Sequence, residues 1–229
     1  MNRIGRTGTM LLGVVVLTAC TERSIPTASS DPRTIVFSVA GQTSAVDDPT
    51  GDVKNRYPAY LDIVRAATTR KDHSFIFTLD LAAAVPADPA ADFSSGPDFV
   101  NVSLFGLDTD PTADLVGYPF KDHTANPFEF FIAVSWNPTG SWGLGTGFVG
   151  LLVDRRPLLT GGQAVVRSVP FTIEGSRVTL VVDAALLGDP ATFQWGAATV
   201  VSNHAAPTDE FTVPDFAPDN GLPLVNWPQ

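Results

Sequence analysis

The sequence has one cysteine, Cys20, two methionines, Met1 and Met10, three histidines, and charge on only 17% of its residues. A single cysteine excludes a disulfide framework within the chain. Three isolated histidines without near-neighbour spacing do not make a zinc site. Both methionines lie in the first ten residues and leave with a cleaved leader, so a haem would have to be held by two of His73, His123 and His204, and no haem is expected. No apolar run reaches the roughly 18–20 residues that span a bilayer. There is no Gly-x-Ser-x-Gly elbow, no glycine-rich phosphate loop and no His-Glu-x-x-His, so neither a nucleotide cofactor nor an enzyme is expected.

What is present begins with an address. Arg3 and Arg6 precede an apolar segment, Met10 to Leu17, and small residues, Thr18 and Ala19, lead to the cysteine. That is the order of a secretory signal over residues 1–19. Leu17-Thr18-Ala19-Cys20 resembles the lipobox of bacterial lipoproteins, which implies a diacylglyceryl group on Cys20 and a lipid anchor on the outer face of a cell membrane. Two acyl chains anchor firmly where a single chain binds marginally, because each buried methylene contributes about 0.8 kcal/mol. Residues 20–32, rich in Ser, Thr and Pro, read as a flexible tether. The alternative is an ordinary secretory signal with an incidental cysteine.

Residues 33–229 read as one domain of a size all-β folds often reach. Fifteen Phe, 19 Gly and 19 Pro suit short strands and many turns. The formal charge of −10, which becomes −12 once Arg3 and Arg6 are removed, disfavours nucleic acid and anionic headgroups and suits divalent cations or neutral ligands.

Residues 33–40 read as a first strand, and 41–60 as an acidic, turn-rich loop with little apolar periodicity. The clearest alternation runs from His73 to Leu81, with Phe75, Phe77, Leu79 and Leu81 on one face. Phe99 to Leu107 is apolar on both faces, as a central strand is. Further strands are expected at 60–69, 128–136, 148–154, 163–173, 177–183 and 193–201, with a short one at 211–213. Asp183 to Gly188 reads as one capped helical turn. The expectation is nine to eleven strands in an antiparallel β-sandwich, jelly-roll or immunoglobulin-like, with the tail packed through Phe216 and Trp227.

Several short motifs carry a second resemblance. An Asp-Pro-x-Gly-Asp loop (Asp48 to Asp52) is followed by Leu61-Asp62-Ile63, by Phe75-x-Phe77-x-Leu79 and by Leu107-Asp108-Thr109-Asp110. Later come Leu186-Leu187-Gly188-Asp189-Pro190-x-x-Phe193 and Pro214-Asp215-x-x-Pro218-Asp219-x-Gly221. Together they resemble the DOMON-like and family-nine carbohydrate-binding-like β-sandwich modules, such as the C-terminal module of glucodextranase-type enzymes. The resemblance implies a secreted or surface module that binds a sugar or haem and holds structural calcium. By this reading residues 33–229 are expected to form the module alone, a departure from the pattern in which a catalytic domain accompanies it.

Two acidic loops are the candidate metal sites: Asp47, Asp48 and Asp52 in one, and Asp108, Asp110 and Asp114 in the other. Calcium takes six to eight oxygens, which clustered carboxylates and loop carbonyls supply. The second loop does not follow the helix–loop–helix calcium pattern, since Thr112 stands at its fifth position. The competing reading is that Asp beside Pro or Gly makes turns. Exposed aromatics are what a sugar stacks on, and Trp142, Trp136 and Tyr118 are the candidates. Trp136 ends a strand and also suits a core position, while Trp142 lies among glycines and suits loop packing or ligand contact alike. The functional expectation is an envelope-anchored, non-catalytic binding module, calcium-stabilised and glycan-binding. A structural or assembly protein that contacts an envelope partner is the alternative, and a hydrolase with an unmarked carboxylate pair is a weaker one.

If the lipobox reading holds, Cys20→Ser incorporates no labelled fatty acid and leaves the lipid-modified membrane fraction. Label retained in that variant overturns it.

Overall fold

The computed structural model describes residues 41–53, 57–93, 96–113, 115, 128–140, 143, 145–203, 210–219 and 221–229. Cys20, the signal, the tether, the strand expected at 33–40, Asp114, Tyr118 and Trp142 lie outside the described residues. Twelve strands occur among those described, all antiparallel, in two sheets. They are β1 (Gln42–Asp47), β2 (Ile63–Lys71), β3 (Ser74–Leu81), β4 (Phe99–Asp108), β5 (Phe130–Asn137), β6 (Gly147–Asp154), β7 (Val165–Ser168), β8 (Phe171–Glu174), β9 (Arg177–Asp183), β10 (Phe193–Asn203), β11 (Glu210–Ala217) and β12 (Val225–Trp227). One sheet runs β1-β2-β3-β9-β8 and the other β11-β10-β4-β5-β6-β7, with β12 also on β10. Among the described residues no helix is long and apolar enough to cross a membrane.

The core lies between the sheets and is built from the alternating faces of their strands. Phe75, Phe77 and Leu79 of β3 meet Phe105 and Leu107 of β4, Phe130 and Ile132 of β5, and Trp195 of β10. Phe75 stands edge-on to Phe193 at 5.4 Å and to Trp227 at 5.6 Å, an arrangement that suits the ring quadrupoles. Burial of such side chains is the main favourable term in forming the sandwich. β4 is buried along its whole length, because its other face carries a second apolar cluster containing Phe99, Leu104, Phe128, Ala133 and Val200.

Polar groups also tie the sheets together. The indole N–H of Trp195 (β10) donates to Ser44 Oγ (β1) at 3.2 Å, and Ser44 Oγ donates to the Asn226 carbonyl (β12) at 2.8 Å. The Thr199 hydroxyl of β10 donates to the Leu61 carbonyl at 2.7 Å, beside the start of β2. Buried polar groups of this kind are costly unless paired, so these bonds fix how one sheet sits on the other.

Three expectations are corrected. Gln42–Asp47 is a strand rather than part of a loop, held by its backbone pairing to β2 with Ser44 and Val46 turned inward. The C-terminal Gln229 side chain covers its free edge, accepting from Ala45 N and donating to Ala45 O. The single strand expected at 163–173 is two, β7 and β8, in different sheets. Val169 and Pro170 carry the chain across, since Pro170 has no N–H for a ladder. The short strand expected at 211–213 extends through Pro214 to Ala217, tolerated because β11 is an edge strand with a register shift at that point.

The crossing between β7 and β8 is tight. A Cβ at Gly150 of β6 would overlap the Val169 carbonyl and approach the Phe171 ring to 2.8 Å. Gly150→Ala is expected to destabilise the domain by about 1–3 kcal/mol, read as a lower urea midpoint at unchanged slope. An unchanged midpoint would show that the crossing adapts freely.

Candidate metal centre

Five carboxylates converge where the two sheets meet at one edge. Asp48 and Asp52 come from the loop after β1. Asp62 follows a single 3₁₀ turn (Ala59–Leu61), Asp215 lies on β11, and Asp219 follows that strand. In each of two sets, Asp48–Asp52–Asp219 and Asp52–Asp62–Asp215, oxygens lie within 4.8 Å of one another. Two ligands of one calcium ion, each about 2.4 Å from it, are at most about 4.8 Å apart, so either set suits a single ion.

The local chain dictates the convergence. The Asp48 N–H donates to the Val64 carbonyl at 2.9 Å, continuing the β1–β2 ladder and aiming the loop back at β2. Gly51, at φ +92°, lets the loop turn, and its N–H donates to Asp62 Oδ2 at 2.8 Å. Asp215 Oδ2 accepts from Ile63 N at 2.6 Å and Oδ1 from Phe216 N at 2.9 Å, which pins β11 to the start of β2.

Three of these acids are held out of water with their charge only partly answered, while Asp52 is exposed and Asp219 half-buried. Asp48 is 8% exposed, Asp62 3% and Asp215 6%. Asp48 Oδ2 and Asp62 Oδ1 have no hydrogen-bond partner. Burial pushes the Asp48 carboxyl up to about 8, and the charged neighbours that act on it, Asp215, Asp219, Asp52 and Asp62, push the same way. Asp215 rises to about 7, chiefly by burial and further through Asp52 and Asp62, against the opposing pull of the Ile63 and Phe216 N–H groups. Asp52 is raised by burial and by Asp219. All the donors are hard oxygens, the set that suits calcium, magnesium and manganese.

Of the residues expected to bind metal, Asp48 and Asp52 are at this centre. Asp47 points outward to an exposed ion pair with Arg65. Asp110 is exposed and turned onto Thr112, whose hydroxyl and N–H donate to its Oδ1 at 2.6 and 3.0 Å and hold its carboxyl below the usual range. Asp108 is buried at the end of β4 beside Glu129, and rises to about 6 through burial, then Glu129 and the Asp110 charge, offset by the nearby Asp110 N–H. Trp136 is not on an open platform: it packs into the core side against Phe148 at 5.1 Å. Asp62, Asp215 and Asp219 were not singled out as ligands, yet each stands inside a short motif visible in the sequence, Leu61-Asp62-Ile63 and Pro214-Asp215-x-x-Pro218-Asp219.

Beside the carboxylates, Ala45, Val46, Pro218, Leu222, Pro228 and Gln229 line an open groove of about 460 Å³ between β1 and the C-terminal tail. No protein-family model matches the chain, and no curated protein matches it.

Without metal, the folded state holds protons on Asp48 and Asp215 that an unfolded chain has already released. Metal-free stability is therefore expected to fall as pH rises from the ordinary carboxylate range towards about 8. Calcium at a hundredfold excess over its Kd stabilises by about 2.7 kcal/mol, raising Tm by about 5–10 °C and flattening that slope. Thermal melts at several pH values, in calcium and in chelator, check this; a midpoint indifferent to both reduces the cluster to turn-forming residues.

Proposed function

We propose that this protein is a lipoprotein of the bacterial cell envelope, anchored through Cys20, whose β-sandwich is a non-catalytic, calcium-stabilised module that binds a glycan. The observation that carries the reading is the convergence of Asp48, Asp52, Asp62, Asp215 and Asp219, with two buried oxygens lacking partners. A metal here would neutralise the acids and join the loop after β1, the start of β2 and the end of β11. That is a stabilising role at a seam, and it agrees with the structural calcium that the DOMON-like and carbohydrate-binding-like resemblance implies. The open groove beside these acids, bordered by the exposed Asn226 and by Gln229, gives a neutral polyhydroxylated ligand a surface next to the metal. The net negative charge points the same way, since it repels nucleic acid and anionic lipid but not a neutral sugar.

A second reading has its own observation. Leu158 and Leu159, in the turn before β7, and Val165 and Val166, on β7 itself, are exposed at the edge strand of the larger sheet. Apolar side chains beside a free strand edge suit contact with another protein, as an envelope assembly factor would make.

Detergent-extracted protein on a glycan array separates the two. Under the proposed reading a defined glycan class is retained in calcium, and retention drops at least tenfold in chelator and in Asp48→Asn. No retained glycan, together with stoichiometric co-purification of one envelope protein that is lost in Val166→Glu, overturns it in favour of the assembly reading.

A further inference from the structure

A second buried acidic site lies at the far end of β4. Leu107 of β4 pairs with Phe130 of β5, so the next residues on, Asp108 and Glu129, meet at the end of the ladder. Phe128 holds this end in place: its ring sits so close over Gly106 that a Cβ there would come within 2.9 Å of it. One side of the Glu129 carboxylate is fully used, with Oε2 accepting from Thr109 N at 2.6 Å, Thr109 Oγ1 at 3.0 Å and Asp110 N at 3.2 Å. The other side is not. Among the described residues Glu129 Oε1 and both oxygens of Asp108 are buried without a hydrogen bond, in residues 1% and 2% exposed; the Asp110 N–H, which lies near enough to Asp108 to act on it, is bonded to Glu129 Oε2.

Three orphan carboxylate oxygens from two facing acids are a large cost for a folded protein. One unpartnered buried oxygen costs about 1–3 kcal/mol, and more when charged. The neighbouring cations answer it only in part. The Arg155 and Arg156 guanidiniums both feel the charge of Glu129, but Arg155 Nη1 donates to the Phe128 carbonyl at 2.8 Å with its plane 4.9 Å over the Phe131 ring, and Arg156 is paired with Asp154. Asp108, whose oxygens are the more exposed to this deficit, has carboxylates as its charged neighbours.

We infer that Asp108 and Glu129 form a second divalent-cation site, independent of the first, in which Asp108 binds through both oxygens and Glu129 through Oε1. Carboxylate oxygens select a hard cation. Magnesium keeps several waters and demands a near-ideal octahedron, whereas calcium accepts bidentate carboxylates in irregular shells, so the burial of both acids favours calcium. In the first site the ion joins the two sheets; in this one it joins β4 to β5 within the larger sheet and holds the Thr109–Asp110 turn. The two sites share no ligand.

Calorimetric titration of the detergent-extracted protein with calcium alone, and separately with magnesium, tests this. Wild type is expected to bind two equivalents of calcium, with magnesium at least tenfold weaker at both. Asp108→Asn and Glu129→Gln each bind one, and Asp48→Asn also binds one, while Asp108→Asn combined with Asp48→Asn binds none. Because Asp108→Asn removes a buried charge, its metal-free midpoint should rise, which shows that loss of the second equivalent is not loss of the fold. If wild type binds one equivalent that only Asp48→Asn removes, Asp108 and Glu129 share a proton instead and the second site is overturned, leaving the first intact. If wild type binds one equivalent that only Asp108→Asn removes, the first site fails and the second stands.

Discussion

Ionised carboxylates leave water at a cost that the protein interior repays only through opposite charge or well-aligned donors. That constraint runs through this sandwich. Asp215 is the clearest case: buried on an edge strand, it takes two backbone N–H groups, and one of them, from Ile63, belongs to the other sheet. The bond that answers the charge is thus also the bond that registers the sheets. Asp62 works in the same way from the opposite side, taking the Gly51 N–H and so fixing the acidic loop. Asp48 and Asp62 are left with an oxygen each that nothing among the described residues satisfies. Without a cation such groups stay under cover by holding protons, as the raised Asp48 and Asp215 carboxyls do.

The apolar core makes this placement possible. The edge-to-face contacts of Phe75 with Phe193 and Trp227 anchor β12 and bring the C-terminal tail back against β1. Ser44 then bridges Trp195 and Asn226, and Gln229 pairs with the free edge of β1. An edge strand covered in this way does not offer its backbone to other chains. β7, at one end of the larger sheet, has no such cover among the described residues and carries exposed Val165 and Val166. Among the described residues β1 is thus a sealed edge beside the acids, whereas β7 is an open edge flanked by apolar side chains.

Much of the fold is legible in the chain because its signals are local. The alternation of Phe75, Phe77 and Leu79 places one face of β3 in the core, and apolar residues on both faces of β4 mark a central strand. Asp183 caps its 3₁₀ turn through the Ala185 N–H, and Gly188 ends it at φ +81°, as those residue types dictate. β1 is less legible, because Gln42–Asp47 has almost no apolar pattern and is a strand only by virtue of its partner. The split between β7 and β8 turns on Pro170 and on the lack of a side chain at Gly150, which matter only once the other sheet is in place.

What the sequence determined by itself is therefore the class of fold and its turn chemistry: period-two alternation, β-branched and aromatic runs, and Asp and Gly at the bends act over a few residues and need no distant partner. Which acids meet was decided by tertiary structure alone. Asp48 and Asp215 lie far apart along the chain, and Asp47 and Asp48 are neighbours with opposite fates, one in an exposed ion pair with Arg65 and one buried among carboxylates. Adjacent residues on a strand point to opposite faces, so closeness in sequence separates such side chains where the pairing of distant strands unites them.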